Sequence, residues 1–217
     1  MQTLAQKLID QGLANQVLTE KQLARVLNGS QQRRYGLVNR ALKAGELHRL
    51  SRGRYLLADS FRDYPGHPFA LAQAFVPGSY VSFETALAHH GWIPEAVYTV
   101  SSVTPGRKTL VFNSGKFGQF TFHPIAVYTD RLLELVQRIQ ITEQTMLVAG
   151  PLRALMDLVC LRKTQWQGLG LLIEGMRIDE EHLKSIRHTD MTQLMLVYKQ
   201  NRVNSFLKSL AKELGHD

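Results

Sequence analysis

The sequence predicts an α+β fold in two modules, on three observations. Apolar residues recur at helical spacing through residue 43 and give way to a basic hairpin pattern. A middle stretch is rich in Val, Thr, Phe and Tyr, and helical spacing returns from residue 150. Across 217 residues the apolar fraction is 44% and the charged fraction 20%, values of ordinary globular chains that argue against disorder or a fibrous repeat. No apolar run approaches the roughly 20 residues that cross a bilayer. The opening Met1-Gln2-Thr3-Leu4 has no basic segment leading into an apolar one, so neither a membrane nor an export route is expected. A single cysteine, Cys160, allows no internal disulfide and no multi-cysteine zinc site, and the expected compartment is the reducing cytoplasm.

Charge divides the chain more sharply than composition does. The net charge is +8, and residues 1–60 hold ten Lys or Arg against four acids, leaving 16 against 14 for the rest. Three quarters of the excess therefore sits on about a quarter of the chain, which points to a first module facing an acidic partner, nucleic acid ahead of membrane.

In that module Leu4, Leu8, Ile9 and Leu13 predict a helix over 2–14. Thr19, with Gln22 three residues on, forms a capping box that opens a short second helix ending at Asn28-Gly29. Ser30 caps a third, in which Tyr35, Val38 and Leu42 face inward while Arg33, Arg34 and Arg40 face out, and Ala44-Gly45 ends it. Residues 47–57 then read as two strands around Arg52-Gly53, where glycine supplies the positive φ the turn needs. Three helices and a basic hairpin follow the order of a winged helix-turn-helix, in which the third helix enters the major groove. Gln31, Gln32, Arg33, Arg34, Asn39 and Arg40 on the third helix, with Arg49, Arg52 and Arg54 on the hairpin, have the chemistry to meet base edges and phosphates. RNA is the competing partner, but Tyr35 and Tyr55, the module's only tyrosines, both read as core rather than as stacking platforms.

The module boundaries read as 1–60, a linker over 61–68 carrying Pro65-Gly66-His67-Pro68, and a second module over 69–217. Residues 70–75 look helical, 80–82 form a strand, and Ser82 caps a helix over 83–90. Strands over 98–104, 109–113 and 118–128 predict an antiparallel sheet with basic turns at Arg107-Lys108 and Lys116, candidate contacts to DNA or a protein partner. Helices follow over 152–161, 169–176 and 180–186, with one long terminal helix over 191–214.

Several blocks resemble one family. Tyr80-Val81-Ser82-Phe83-Glu84-Thr85-Ala86-Leu87-Ala88-His89-His90-Gly91-Trp92-Ile93-Pro94-Glu95, Val103-Thr104-Pro105-Gly106-Arg107 and Gly150-Pro151-Leu152-Arg153-Ala154-Leu155-Met156-Asp157-Leu158 are similar to the AbiEi family of antitoxins from type IV toxin-antitoxin systems, as is residues 42–55. The resemblance covers about residues 20 to 165. It implies a phage-defence antitoxin whose winged-helix module represses its own operon on double-stranded operator DNA, with two protomers where the operator is palindromic. Its second module would neutralise a nucleotidyltransferase toxin.

An enzyme would need catalytic groups, and the pattern offers none. No histidine pairs with a second His or Cys at i, i+4 metal spacing, so no metal or cofactor is expected. Glu84 and His90 lie six apart on one helix, on different faces. Gly168-Leu169-Gly170 lacks the rest of a phosphate loop. Cys160 sits among apolar neighbours as a core thiol, and Arg153 and Asp157 are placed to pair across one turn. The alternatives are a stand-alone regulator with a ligand-sensing second module and, further off, a subunit of a nucleic-acid-processing enzyme.

Overall fold

The computed structural model describes residues 2–215. Its first module is built from α1 (Leu4–Asp10), β1 (Leu18–Thr19), α2 (Glu20–Val26), α3 (Gln31–Lys43) and the hairpin β2 (Leu47–Ser51) and β3 (Arg54–Leu57). The Gln22 amide donates to the Thr19 hydroxyl and the Thr19 amide to Gln22 Oε1, so the capping box forms as its spacing predicts. α1 ends four residues earlier than expected. Gly12 takes φ 67°, and the Leu13 amide bonds back to the Leu8 carbonyl, a Schellman closure that only a left-handed residue allows.

β1 and β2 flank β3 in an antiparallel sheet of order β1-β3-β2, with Gly53 at φ 72° in the turn. Both faces of this hairpin are covered. Leu47, Tyr55 and Leu57 pack with α1, α2 and α3 in one core, whereas Leu50 and Leu56 belong to the core of the second module. That is why Tyr55-Leu56-Leu57 is an unbroken apolar run rather than an alternating one. The seam is further pinned at residues 61–68, where no strand and no α-helix forms before Pro68. Asp63 and Asn15 exchange two hydrogen bonds, and Gln144 donates to the Pro65 carbonyl while accepting from the His67 amide.

The second module comprises α4 (Pro68–Phe75), β4 (Tyr80–Val81), α5 (Phe83–His89), β5 (Thr99–Val103), β6 (Leu110–Ser114), β7 (Gly118–His123), β8 (Val136–Ile141), β9 (Gln144–Ala149), α6 (Pro151–Arg162), α7 (Glu180–Lys184), α8 (His188–Met195) and α9 (Asn201–Glu213). Its six strands run β6-β7-β5-β4-β9-β8. The sheet is mixed rather than purely antiparallel, because β5 pairs with β7, and β4 with β9, in parallel. The hairpin β8–β9 is an addition to the elements expected from sequence. α4 covers one face through Phe75, which meets Phe112 and Phe120, while His123 alternates to the other side to meet Phe83 at the start of α5.

A buried ion pair ties the second module together. Arg153 and Asp157 on α6 are both 0% exposed and 2.9 Å apart, so their pairing is not the weak surface contact that spacing alone would suggest. The Asp157 carboxylate accepts from the hydroxyls of Ser82 (2.7 Å), Tyr80 (3.0 Å) and Tyr198 (2.7 Å). Arg153 donates onward to the Tyr80 hydroxyl and to the carbonyls of Leu132 and Glu134. Burial opposes the Arg153 charge, but the neighbouring carboxylate and two tyrosines outweigh it and raise its pKa; burial and Asp157 push the Tyr80 phenol well above its ordinary range. Three expectations are corrected here. The Ser82 hydroxyl goes to Asp157 instead of capping α5. The terminal helix expected over 191–214 is broken into α8 and α9, because Val197 and Lys199 bond to Tyr128 and Ala126 and so carry Tyr198 inward to the carboxylate. The helix expected over 169–176 is a single π-helical turn at Leu171–Gly175.

Replacing Arg153 with Met strands the Asp157 carboxylate and is expected to cost about 3–5 kcal/mol of unfolding free energy. Tyr198→Phe removes one hydrogen bond to a charge and is expected to cost about 1.5–3 kcal/mol. Urea titrations of the two variants check the order, and a cost near zero for Arg153→Met would show that the pair is not desolvated.

Candidate nucleic-acid interface

The third helix opens at Ser30, whose hydroxyl accepts from the Arg33 amide. Gly29 precedes it at φ 110°, and a Cβ there would come within 2.9 Å of Arg33 Cδ. Only glycine satisfies both constraints, and the Arg33 stem lies across it. α3 buries Val38 and Ala41 against the first core and leaves Gln31, Gln32, Arg33 and Arg40 exposed, with Asn39 half-buried. Arg34 projects less than expected: it is half-buried, and its guanidinium donates to the Gly29 carbonyl. On the hairpin Arg49 and Arg52 are exposed and Arg54 is half-buried.

One residue moves from core to surface. Tyr35 is 68% exposed, while Tyr55, its expected companion, is buried. The inward arc of α3 is centred between Val38 and Ala41, which leaves Tyr35 at its margin. There it edges a groove of about 300 Å³ between α2, α3 and β3, lined also by Lys21, Gln31 and Arg34. Lys21 also lines a hollow of about 440 Å³ facing Arg52 and Arg54 at the hairpin turn. Sequence reasoning passed over Lys21, although its position just after the Thr19 cap was a usable signal.

The pairing of charges separates the modules. Among the described residues, none of the ten Lys and Arg of residues 1–60 forms an ion pair, whereas eight of the sixteen beyond residue 60 do. Of the four acids of the first module, Glu20 lines the hollow beside Lys21, Arg52 and Arg54 without forming an ion pair there, and the other three are turned elsewhere. Asp10 bonds Gln6, Glu46 accepts from the Ala5 amide, and Asp59 takes Arg62 and Lys116.

Lys116 is therefore held at the seam, where it also lies over the Phe117 ring, and Phe117 in turn meets His48 of β2 edge-on. Arg107 and Lys108 are exposed in the turn before β6, at the end of that strand opposite Lys116, so the structure does not bring the three together. Cys160 is buried, and burial raises its thiol pKa, as a core thiol requires. No group of three or more His, Cys, Asp or Glu among the described residues could hold a metal ion, and no helix there is long and apolar enough to cross a membrane.

No family model matches the sequence, and a search of curated proteins finds no match. Among solved structures, the chain is similar to the Rv2827c protein from Mycobacterium tuberculosis at 14% identity and a TM-score of 0.57, over 95% of this chain and 76% of that one. The likeness is one of fold.

Burial, then the Lys116 charge, lowers the pKa of His48 from its ordinary 6.5, and burial does the same for His67, His90 and His123. The unfolded chain therefore binds more protons just below pH 6.5, so the stability these groups contribute is full above that value and is lost as pH falls through the depressed folded values. Thermal midpoints between about pH 7.5 and 5 should fall accordingly. His48→Asn should flatten part of that slope, and a midpoint rising toward acid would contradict the assignment.

Proposed function

We propose that the chain is a non-enzymatic, duplex-DNA-binding antitoxin, with its first module acting as a winged helix-turn-helix reader and its second engaging a nucleotidyltransferase toxin. One observation carries the DNA half: among the described residues, none of the ten cations on the first module forms an ion pair, in a chain whose other cations are half paired. Unpaired guanidinium and ammonium groups on a small module are what counterion release from a polyphosphate rewards. The element order helix, strand, helix, helix, hairpin and the sheet order β1-β3-β2 support the winged-helix reading. α3 would lie in the major groove, and Arg52 at the hairpin turn would reach the neighbouring backbone. The toxin half rests on the resemblance of residues 80–95, 103–107 and 150–158 to AbiEi antitoxins. A palindromic operator would take two protomers.

A second reading, a regulator that senses a small ligand, draws on a hollow of about 270 Å³ in the second module lined by Phe69, His89, Tyr98 and Phe117. Co-expression with the adjacent gene separates the two, since rescue of growth from a nucleotidyltransferase toxin favours the antitoxin.

With about four to six phosphates neutralised, log affinity for duplex operator is expected to fall against log salt with a slope of about −4 to −5. Arg33→Ala with Arg40→Ala should weaken binding about tenfold or more and make the slope shallower by about one per lost phosphate contact. Fluorescence anisotropy across a salt series measures both, and unchanged affinity would exclude α3 as the contact. Charge reversal at Arg107 and Lys108 tests the second module: loss of toxin neutralisation or of DNA affinity assigns that turn a role, and no change in either removes it.

A further inference from the structure

We infer that α3 reads A·T base pairs through a surface centred on Gly36, with Tyr35 as a base-contacting side chain beside Gln32 and Asn39. This rests on the duplex-binding reading above and names what that surface recognises.

Gly36 lies in the interior of a 13-residue helix, where glycine is unfavourable compared with alanine. Nothing inside the protein requires it. Its φ is ordinary, and an added Cβ would meet only Arg40 Nη1, at 3.9 Å. Glycine is also the residue that lets a helix backbone approach a ligand closely. The neighbours of Gly36 on the helix surface, at i±3 and i±4, are Gln32, Arg33, Asn39 and Arg40, and no acid occurs anywhere on α3. A saddle at Gly36 is thus bordered by two amides and two cations.

The amides set the preference. Asn and Gln side chains pair bidentately with the N6 and N7 groups of adenine, and α3 presents three of them, Gln31 and Gln32 exposed and Asn39 half-buried. Tyr35 supplies the complementary contact. It stands 68% exposed, four residues from both Gln31 and Asn39, and presents an apolar ring edge suited to a thymine methyl. Arg33 and Arg40 flank the saddle as phosphate contacts, so base reading and phosphate binding separate by residue.

The test is selection of bound sequences from a randomised duplex library with the full chain, followed by anisotropy on the selected duplex and on a scrambled one. The expected site contains successive A·T pairs. Tyr35→Ala and Asn39→Ala should each lose about tenfold in discrimination at one or two of those positions while holding their affinity for the scrambled duplex. Gly36→Leu, entering open space with a better helix former, should raise the thermal midpoint and cut affinity for the selected duplex at least about tenfold. Binding with no enrichment, enrichment of G·C pairs, or an unaffected Gly36→Leu variant would overturn this inference and leave the duplex-binding reading standing. Absence of duplex binding at low salt would overturn that reading itself.

Discussion

The second module is organised around one desolvated carboxylate. Asp157 draws hydroxyls from the first residue of β4, from the residue that follows that strand and from the gap between α8 and α9, and it holds Arg153 so that the guanidinium reaches the carbonyls ahead of β8. Three stretches distant in sequence, at residues 80–82, 132–134 and 198, are thereby fixed to α6. A buried pair of this kind is a poor source of net stability, because desolvation offsets much of the attraction. What it enforces is arrangement, since any register that leaves one of these partners unmatched exposes a charge to a low-dielectric interior.

This also explains which parts of the fold could be read in advance. Local chemistry was legible: the Thr19–Gln22 box, the Ser30 cap and the left-handed glycines at 29 and 53 act over three or four residues and leave direct marks. Longer-range demands were not. Periodicity alone runs a helix through Tyr198, and the distant carboxylate together with the backbone bonds to Ala126 and Tyr128 interrupts it. The β8–β9 hairpin turns at Thr142, at φ 54°, and Glu143 without the Asn or Gly that normally signals such a turn. Parallel pairing of β5 with β7 depends on a strand crossing that residue patterns do not encode.

The candidate interface was legible in part. Charge counting located the module, and capping located the start of α3, so most of the basic residues lie where expected. Tyr35 went astray because its spacing from Val38 and Leu42 matches an inward stripe, whereas the packing of α1 and β2 against α3 centres that stripe about one position round the helix. Arg34 and Lys116 show the complementary limit: sequence gives their charge but not the carbonyl or carboxylate that occupies it.

The hairpin clamped between two cores has a further consequence for how the chain can be divided. Leu50 and Leu56 are wall material for the larger half although they belong to the smaller one. A cut near residue 60 would open a hole on one side and bare two leucines on the other, so each fragment would carry a fresh adhesive scar. The seam also sets geometry: with Leu50 and Leu56 built into the larger core, the arginine-tipped turn keeps its place relative to the sheet only while both halves are folded.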